Sequence, residues 1–346
     1  MRAALVATLA LLLVAAPAAD AAVPGRNGKL VVSLDRCEFH PHLRALSIAG
    51  RDLGPLTKPC EVVGTEEEEP ILRAARSPDW SPDGARLVFS QSGAEPAGLV
   101  TVAADGTDPQ PIPRTLGARS PSFAPDGRQV AFTEAGAVWT VALDGSAPRL
   151  LRSPGSCPPN RSNCTTFVGP RWSPDGRRIA VLAEQFAFGP GPPAVPRPGI
   201  WLLDARTGKL IRRVVAADLS SPAEVDWSPD GRRLLFRTAY HQEEIKGGAS
   251  GGNIWVVRAD GRGRRRLVHR PRYAETFPRW SPDGRWIAWI GLGFTAGDVA
   301  FDVTPTVYRV RATGGRPQLV RRLPGPYVEE GDFHAPELAW QPLAAR

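Results

Sequence analysis

The sequence predicts an all-β fold: a six-bladed β-propeller of four-stranded antiparallel blades, with the ring closed by pairing of its N- and C-terminal strands. Three observations lead there. Trp-Ser-Pro-Asp-Gly recurs at Trp80, Trp172, Trp227 and Trp280, with Phe123-Ala-Pro-Asp-Gly as a variant and Trp340-Gln-Pro as a truncated sixth copy. Successive copies lie 43–60 residues apart, too long for an ankyrin or leucine-rich unit and right for one four-stranded blade. Each interval is filled by short apolar runs between turn signals, the pattern of strands.

Along the chain, the first segment reads as an export signal. Met1-Arg2 and the run Ala3 to Ala16 give a basic start and an apolar stretch of about 14 residues. A membrane span needs about 20 apolar residues, and Pro17, Asp20 and Pro24 interrupt this run. Ala19-Asp20-Ala21 suits a signal peptidase, with Ala16-Pro17-Ala18 as a second candidate. Residues 1–21 are therefore expected to be a cleaved signal peptide and residues 22–346 a single propeller domain. The first Cys is Cys37, away from the cleavage region, so no lipid anchor is expected. The expected location is secreted or periplasmic, without a membrane span.

Every blade reads alike. An inner strand ends at the Trp, and Ser-Pro-Asp-Gly turns the chain: Pro presets φ at the second turn position and Gly accepts the left-handed conformation that follows. The second strand is Arg86–Ser90, Gln129–Thr133, Arg178–Leu182, Arg233–Arg237 and Trp286–Ile290 in the complete repeats. A third strand places Val100, Trp139, Trp201, Trp255 or Tyr308 at a matching position. It closes with a tight turn, as at Asp105-Gly106, Asp144-Gly145, Asp260-Gly261 and Thr313-Gly314. Fourth strands are short, as at Arg149-Leu-Leu and Arg265–Val268. Gly25–Ser33 is a second strand without a first, and Leu338-Ala-Trp340 a first strand without a second. Joining them completes blade 1 and covers an exposed edge.

The pattern Pro-x-Trp-Ser-Pro-Asp-Gly-x-Arg-Ile-Ala-Phe, approached at these positions, resembles the TolB-like propeller repeat over essentially the whole mature chain. The resemblance implies the fold. It leaves function open, because similar propellers serve as periplasmic binding scaffolds and stand beside peptidase domains of the prolyl oligopeptidase type. Unlike TolB itself, the chain has no room for an extra N-terminal α/β domain before Lys29, which argues against a Tol-system role.

Composition narrows the partners. The formal charge is +8 and the pI about 9.8, yet Lys occurs only at Lys29, Lys58, Lys209 and Lys246, and Arg is spread over every repeat. Export and this even spread argue against nucleic acid. Attraction to anionic envelope polymers is consistent with the charge. Four Cys in an exported chain predict two disulfides, Cys37–Cys60 and Cys157–Cys164.

Several motifs have a plain structural reading. The repeat Trp residues suit packing between blades rather than a sugar-stacking ladder. Asp83, Asp126, Asp175, Asp230 and Asp283 each serve a separate turn and do not converge as a Ca²⁺ site requires. Gly248-Ala-Ser250-Gly-Gly252 matches a nucleophile elbow in letters only, because it precedes a strand. Glu66 to Glu69 reads as a solvated loop, His40 and His42 lack further ligands at metal spacing, and Asn160 and Asn163 lie in glycosylation sequons without evident use. No catalytic residue, metal or cofactor is assigned.

Loop length locates the candidate site. Turns after the first and third strands are tight, so that face is expected to be nearly featureless. The opposite face collects Asp35–His42, Pro59–Ile71, Pro154–Phe167, Glu184–Pro198, Tyr240–Gly252, Gly291–Pro305 and Pro324–Pro336. Long loops on a rigid scaffold concentrate function. Arg76, Arg119, Glu224, Glu275, His334 and Glu337 are expected at the channel mouth there, overhung by Tyr240, His241 and Phe294. Mixed Arg and carboxylates suit an anionic or zwitterionic partner. The sequence thus points to a monomeric scaffold binding an envelope or extracellular protein, peptide or anionic glycan. A glycan- or peptide-cleaving enzyme acting at the channel is the alternative.

Overall fold

The structure is a computed structural model that describes residues 25–35, 41–58, 74–93, 97–155, 164–186, 199–216, 222–239, 252–270, 273–293, 304–324 and 336–343. These residues form 24 strands and no helix. In chain order they are β1 (Arg26–Asp35), β2 (Pro41–Leu46) and β3 (Asp52–Pro55). Then come β4 (Ala74–Trp80), β5 (Arg86–Ser92), β6 (Gly98–Ala103) and β7 (Gln110–Pro111). β8 (Arg119–Phe123), β9 (Gln129–Glu134), β10 (Ala137–Ala142) and β11 (Arg149–Arg152) follow. Next are β12 (Cys164–Trp172), β13 (Arg178–Phe186), β14 (Gly199–Asp204) and β15 (Leu210–Ala216). β16 (Pro222–Trp227), β17 (Arg233–Ala239), β18 (Gly252–Arg258) and β19 (Arg265–Val268) precede the last five. Those are β20 (Tyr273–Trp280), β21 (Trp286–Gly293), β22 (Thr304–Arg311), β23 (Gln318–Arg322) and β24 (Leu338–Leu343).

They pair into six four-stranded antiparallel sheets, with β24-β1-β2-β3 as blade 1 and the others in sequence as blades 2 to 6. The ring closes as the repeat predicts: Leu30 pairs with Trp340, Val31 with Ala339 and Val32 with Leu338. Strands reach further into the long segments than the sequence predicts, as where β12 begins at Cys164 and β18 at Gly252. Cys37, Cys60 and Cys157 lie outside the described residues, as do Ser250 and residues 1–24, which contain the expected signal peptide.

Alternation along the strands explains the packing. Opposite faces of one blade meet different neighbours, so apolar side chains gather in six clusters, one at each junction between adjacent blades. In blade 4, Val181 packs toward blade 3 whereas Ala180 and Leu182 pack toward blade 5. The repeat Trp residues belong to these clusters: Trp80, Trp227, Trp280 and Trp340 are buried. The third-strand residues predicted to match do share a register, giving Phe89–Val100, Phe132–Trp139, Val181–Trp201, Phe236–Trp255 and Trp289–Tyr308.

The turns are self-contained. In four of them the Asp Oδ1 accepts from the Ser hydroxyl two residues earlier at 2.5–2.6 Å, and it also accepts a backbone N–H two residues later. Burial alone would raise the Asp83, Asp175 and Asp230 carboxyls, but these bonds outweigh it and hold them below the ordinary value. The turn Gly residues take φ of 64–70° and touch the preceding blade: Gly127, Gly176, Gly231 and Gly284 face Pro82, Pro125, Pro174 and Pro229. Gly84 faces the Pro342 carbonyl of the truncated copy, and at the remaining junction, between blades 6 and 1, the Asp283 N–H donates to Asn27 Oδ1 at 3.2 Å instead.

Candidate functional site

The inner strands β4, β8, β12, β16, β20 and β24 touch one another in a closed circle and line the central channel. Each runs from the long-loop face to the turn face. In blades 2 to 6 the inner strand breaks register three or four residues before its aromatic end. The bulged residue is Ser77, Ser120, Gly169, Glu224 or Phe277, with φ between 50° and 58°. A side chain in this left-handed conformation costs about 1 kcal/mol, so a repeated bulge needs compensation.

Part of that compensation comes from the preceding blade. Glu224 accepts the Phe277 N–H at 2.6 Å and forms an ion pair with Arg237 at 2.9 Å. Glu337 accepts the Ser77 N–H. Burial pushes the Glu337 carboxyl up, against the pull of that bond and of Arg279 and Arg76. Two of the expected mouth carboxylates therefore sit part-way down the channel as inter-blade caps. Arg76 in β4 and Arg119 at the start of β8 stand directly before the bulged residues Ser77 and Ser120, Arg119 exposed and Arg76 half-buried.

Glu275 lies elsewhere. Its side chain is 0% exposed and is held in a fork by Arg270, with Nε at 2.6 Å and an Nη at 2.8 Å. The Trp289 indole N–H also donates to it. The Arg270 guanidinium lies 4.1 Å from the Tyr273 ring centre and 3.8 Å from that of Tyr308. Burial opposes the Arg270 charge, but the Glu275 bonds outweigh it and raise its pKa. This is a packed, self-satisfied ion pair, away from the channel rim. His334, Tyr240, His241 and Phe294 lie outside the described residues.

Nearer the turn face, the residue just before each repeat aromatic forms a ring that the sequence reading passed over: Asp79, Ser122, Arg171, Asp226, Arg279 and Ala339. Three of them cap the next blade. Asp79 accepts the Phe123 N–H at 2.8 Å, Ser122 the Trp172 N–H at 3.3 Å, and Asp226 the Trp280 N–H at 2.8 Å. Arginine cannot accept, and after Arg171 the link changes: the Trp227 indole N–H donates to the Arg171 carbonyl at 3.0 Å.

The freed guanidiniums turn inward. Arg171 of blade 4 reaches Asp79 of blade 2 at 3.2 Å, past the whole of blade 3. Asp79 keeps 26% side-chain exposure in that pair, so channel space reaches it, yet burial raises its carboxyl and Arg171 only partly offsets this. Burial likewise raises Asp226, which Arg279 pulls back. Arg279 is 8% exposed and donates to the Pro278 carbonyl at 3.1 Å. Burial, then the like charge of Arg171, lowers its pKa to about 10 despite Asp226, Glu224 and Asp79. Among the described residues no three His, Cys, Asp or Glu side chains gather as a metal site.

This geometry defines a six-bladed β-propeller with a charged channel. No family model matches the chain, and no curated protein matches it in sequence. Solved structures do share the fold. A structure described as putative TolB from Agrobacterium tumefaciens is 20% identical, with a TM-score of 0.56 over 86% of this chain and 89% of that one. A chain of a nidogen/laminin complex is 10% identical, with a TM-score of 0.54 over 92% of this chain and 99% of that one. A prolyl endopeptidase is 15% identical, with a TM-score of 0.50 over 85% of this chain but only 48% of its own length. No helix among the described residues is long and apolar enough to cross a membrane.

Proposed function

We propose that the protein is an exported scaffold that binds, from the long-loop face, an extended segment of a partner protein or a peptide with a free carboxylate. The carrying observation is the inner ring, where Arg279 is buried beside the like charge of Arg171 and draws on carboxylates already capping neighbouring blades. An incoming carboxylate would relieve that imbalance through charge-assisted hydrogen bonds. The Asp79–Arg171 pair narrows the channel near its turn-face end by joining blades 2 and 4 past blade 3, which favours entry past Arg76 and Arg119. An acidic glycan offers the same group. The similar fold within a nidogen/laminin complex makes protein binding a reasonable use of such a scaffold.

The test is isothermal titration with decapeptides ending in a free carboxylate and with their C-amidated counterparts, each mixture checked by mass spectrometry. Acid forms should bind more tightly, and Arg279→Gln should remove about 1–3 kcal/mol of that advantage. Equal affinity of acid and amide forms would overturn the reading. Cleaved peptides would favour the alternative, an enzyme working at the channel.

A further inference from the structure

The turn face, expected to be nearly featureless, carries a groove of about 740 Å³ between blades 4 and 5. Its walls include Arg178, Arg212, Arg232, Arg233 and Arg258, against a single carboxylate, Asp260. Asp260 is already engaged, since Arg258 holds it at 2.9 Å. Arg178 is tied to Asp175 at 3.3 Å and lies over the Trp227 ring. Arg232 and Arg233 are exposed; the charge of Asp230 acts on both, but no side-chain hydrogen bond or ion pair at contact distance fixes them among the described residues. Two further inter-blade cavities have one cation, Lys58, and two, Arg152 and Lys209.

A register comparison singles the groove out. The first residue of each second strand faces a third-strand residue, giving Arg86–Ala103, Gln129–Ala142, Arg178–Asp204 and Trp286–Arg311 in blades 2, 3, 4 and 6. These pairs set a cation against alanine, are uncharged, are opposite in charge, or place a cation over an indole, with Arg311 4.1 Å from the Trp286 ring centre. In blade 5 the pair is Arg233–Arg258, two like charges directly opposed. Such a pair is unfavourable in a bare sheet and becomes favourable with an anion between or above it.

We infer that this groove binds an acidic polysaccharide carrying about one anion per sugar. The volume admits several sugar units, and half-exposed Ile211 beside Ala259 gives a sugar ring an apolar place to rest. No aromatic side chain lines the groove, so it lacks the stacking platform that single-stranded nucleic acid uses. The site lies on the face opposite the proposed peptide entry and does not depend on that reading.

The experiment compares alginate oligomers, dextran sulfate, neutral dextran and oligo-dT on the full chain at low and moderate salt. Alginate and dextran sulfate should bind, more weakly as salt rises, and neutral dextran should not. Arg232→Gln with Arg233→Gln should weaken alginate binding at least tenfold and leave peptide binding unchanged. Arg128→Gln with Arg285→Gln removes the same charge from turns in other blades and should change alginate affinity less than twofold. Equal losses in the two double variants, no loss in the first, or oligo-dT binding as tightly as alginate would each overturn the site. Loss of peptide binding in Arg279→Gln alone tests the channel and not the groove.

Discussion

Arg270 and Arg279 stand close in sequence, at the two ends of one inner-strand segment, and meet opposite conditions. Arg270 has its own carboxylate in a two-point fork and rings beside its guanidinium, and its proton is held more firmly than usual. Arg279 is buried beside another arginine and shares carboxylates that already cap backbone N–H groups, and its proton is held less firmly. Both guanidiniums are withdrawn from solvent, Arg270 partly and Arg279 almost fully, so burial alone does not mark a site. The difference is whether the surroundings complete the hydrogen-bonding and charge of the buried group. Arg270 is complete without a ligand, whereas Arg279 is the group that the proposed ligand would complete.

The largest effect should come from breaking the complete pair. Glu275→Ala leaves the Arg270 charge buried and should cost about 3–5 kcal/mol in urea unfolding. A loss below about 1 kcal/mol would erase the contrast. Arg279→Gln should change stability by only about 1 kcal/mol, because relief from Arg171 offsets the weakened support of Asp226.

Acid titration sharpens the same comparison. Asp79, Asp226 and Glu337 are raised, chiefly by burial, so the native state takes up their protons more readily than the unfolded chain. Their effect is to make stability rise as pH falls from neutrality toward the ordinary carboxylate range. The lowered Asp83, Asp175 and Asp230 act in the opposite sense, losing their stabilising contribution as pH falls from the ordinary value through their own lower values. Asp226→Asn should therefore flatten the change in urea midpoint between pH 7 and 4. Asp230→Asn should leave that segment intact and reduce the loss below it. The smallest signal is spectroscopic: carbon NMR of the guanidinium should show Arg279 titrating from about pH 10, with Arg270 unchanged there.

Much of the fold was legible because propeller repeats expose their logic in local chemistry. Ser-Pro-Asp-Gly encodes its turn without outside help, and Leu338-Ala-Trp340 lacked a partner that Gly25–Ser33 could supply. The site was less legible. Glu275 and Glu224 look alike in sequence, yet one is enclosed by Arg270 and Trp289 while the other caps a bulge in the next blade. A bulge shifts which side chains face the channel, and no residue type announces it, since Ser, Gly, Glu and Phe all occupy that position. The inner ring did leave a trace: the residue before each aromatic varies as Asp, Ser, Arg, Asp, Arg and Ala. Its meaning depends on which blades face one another across the channel.

The closure of blade 1 also sets how the molecule answers to force. Arg26 at the start of β1 pairs with Leu343 at the end of β24, so both strands leave the ladder at the same end. Tension between them opens the antiparallel ladder one pair at a time, like a zipper, instead of loading every hydrogen bond together in shear. Blade 1 contributes only Ala339 to the inner ring, while the charges stand on blades 2, 4, 5 and 6. A pull on the two ends is thus directed into the sector that carries none of the ring's charge, and the first element strained is the strand that directly follows the Glu337 cap on Ser77.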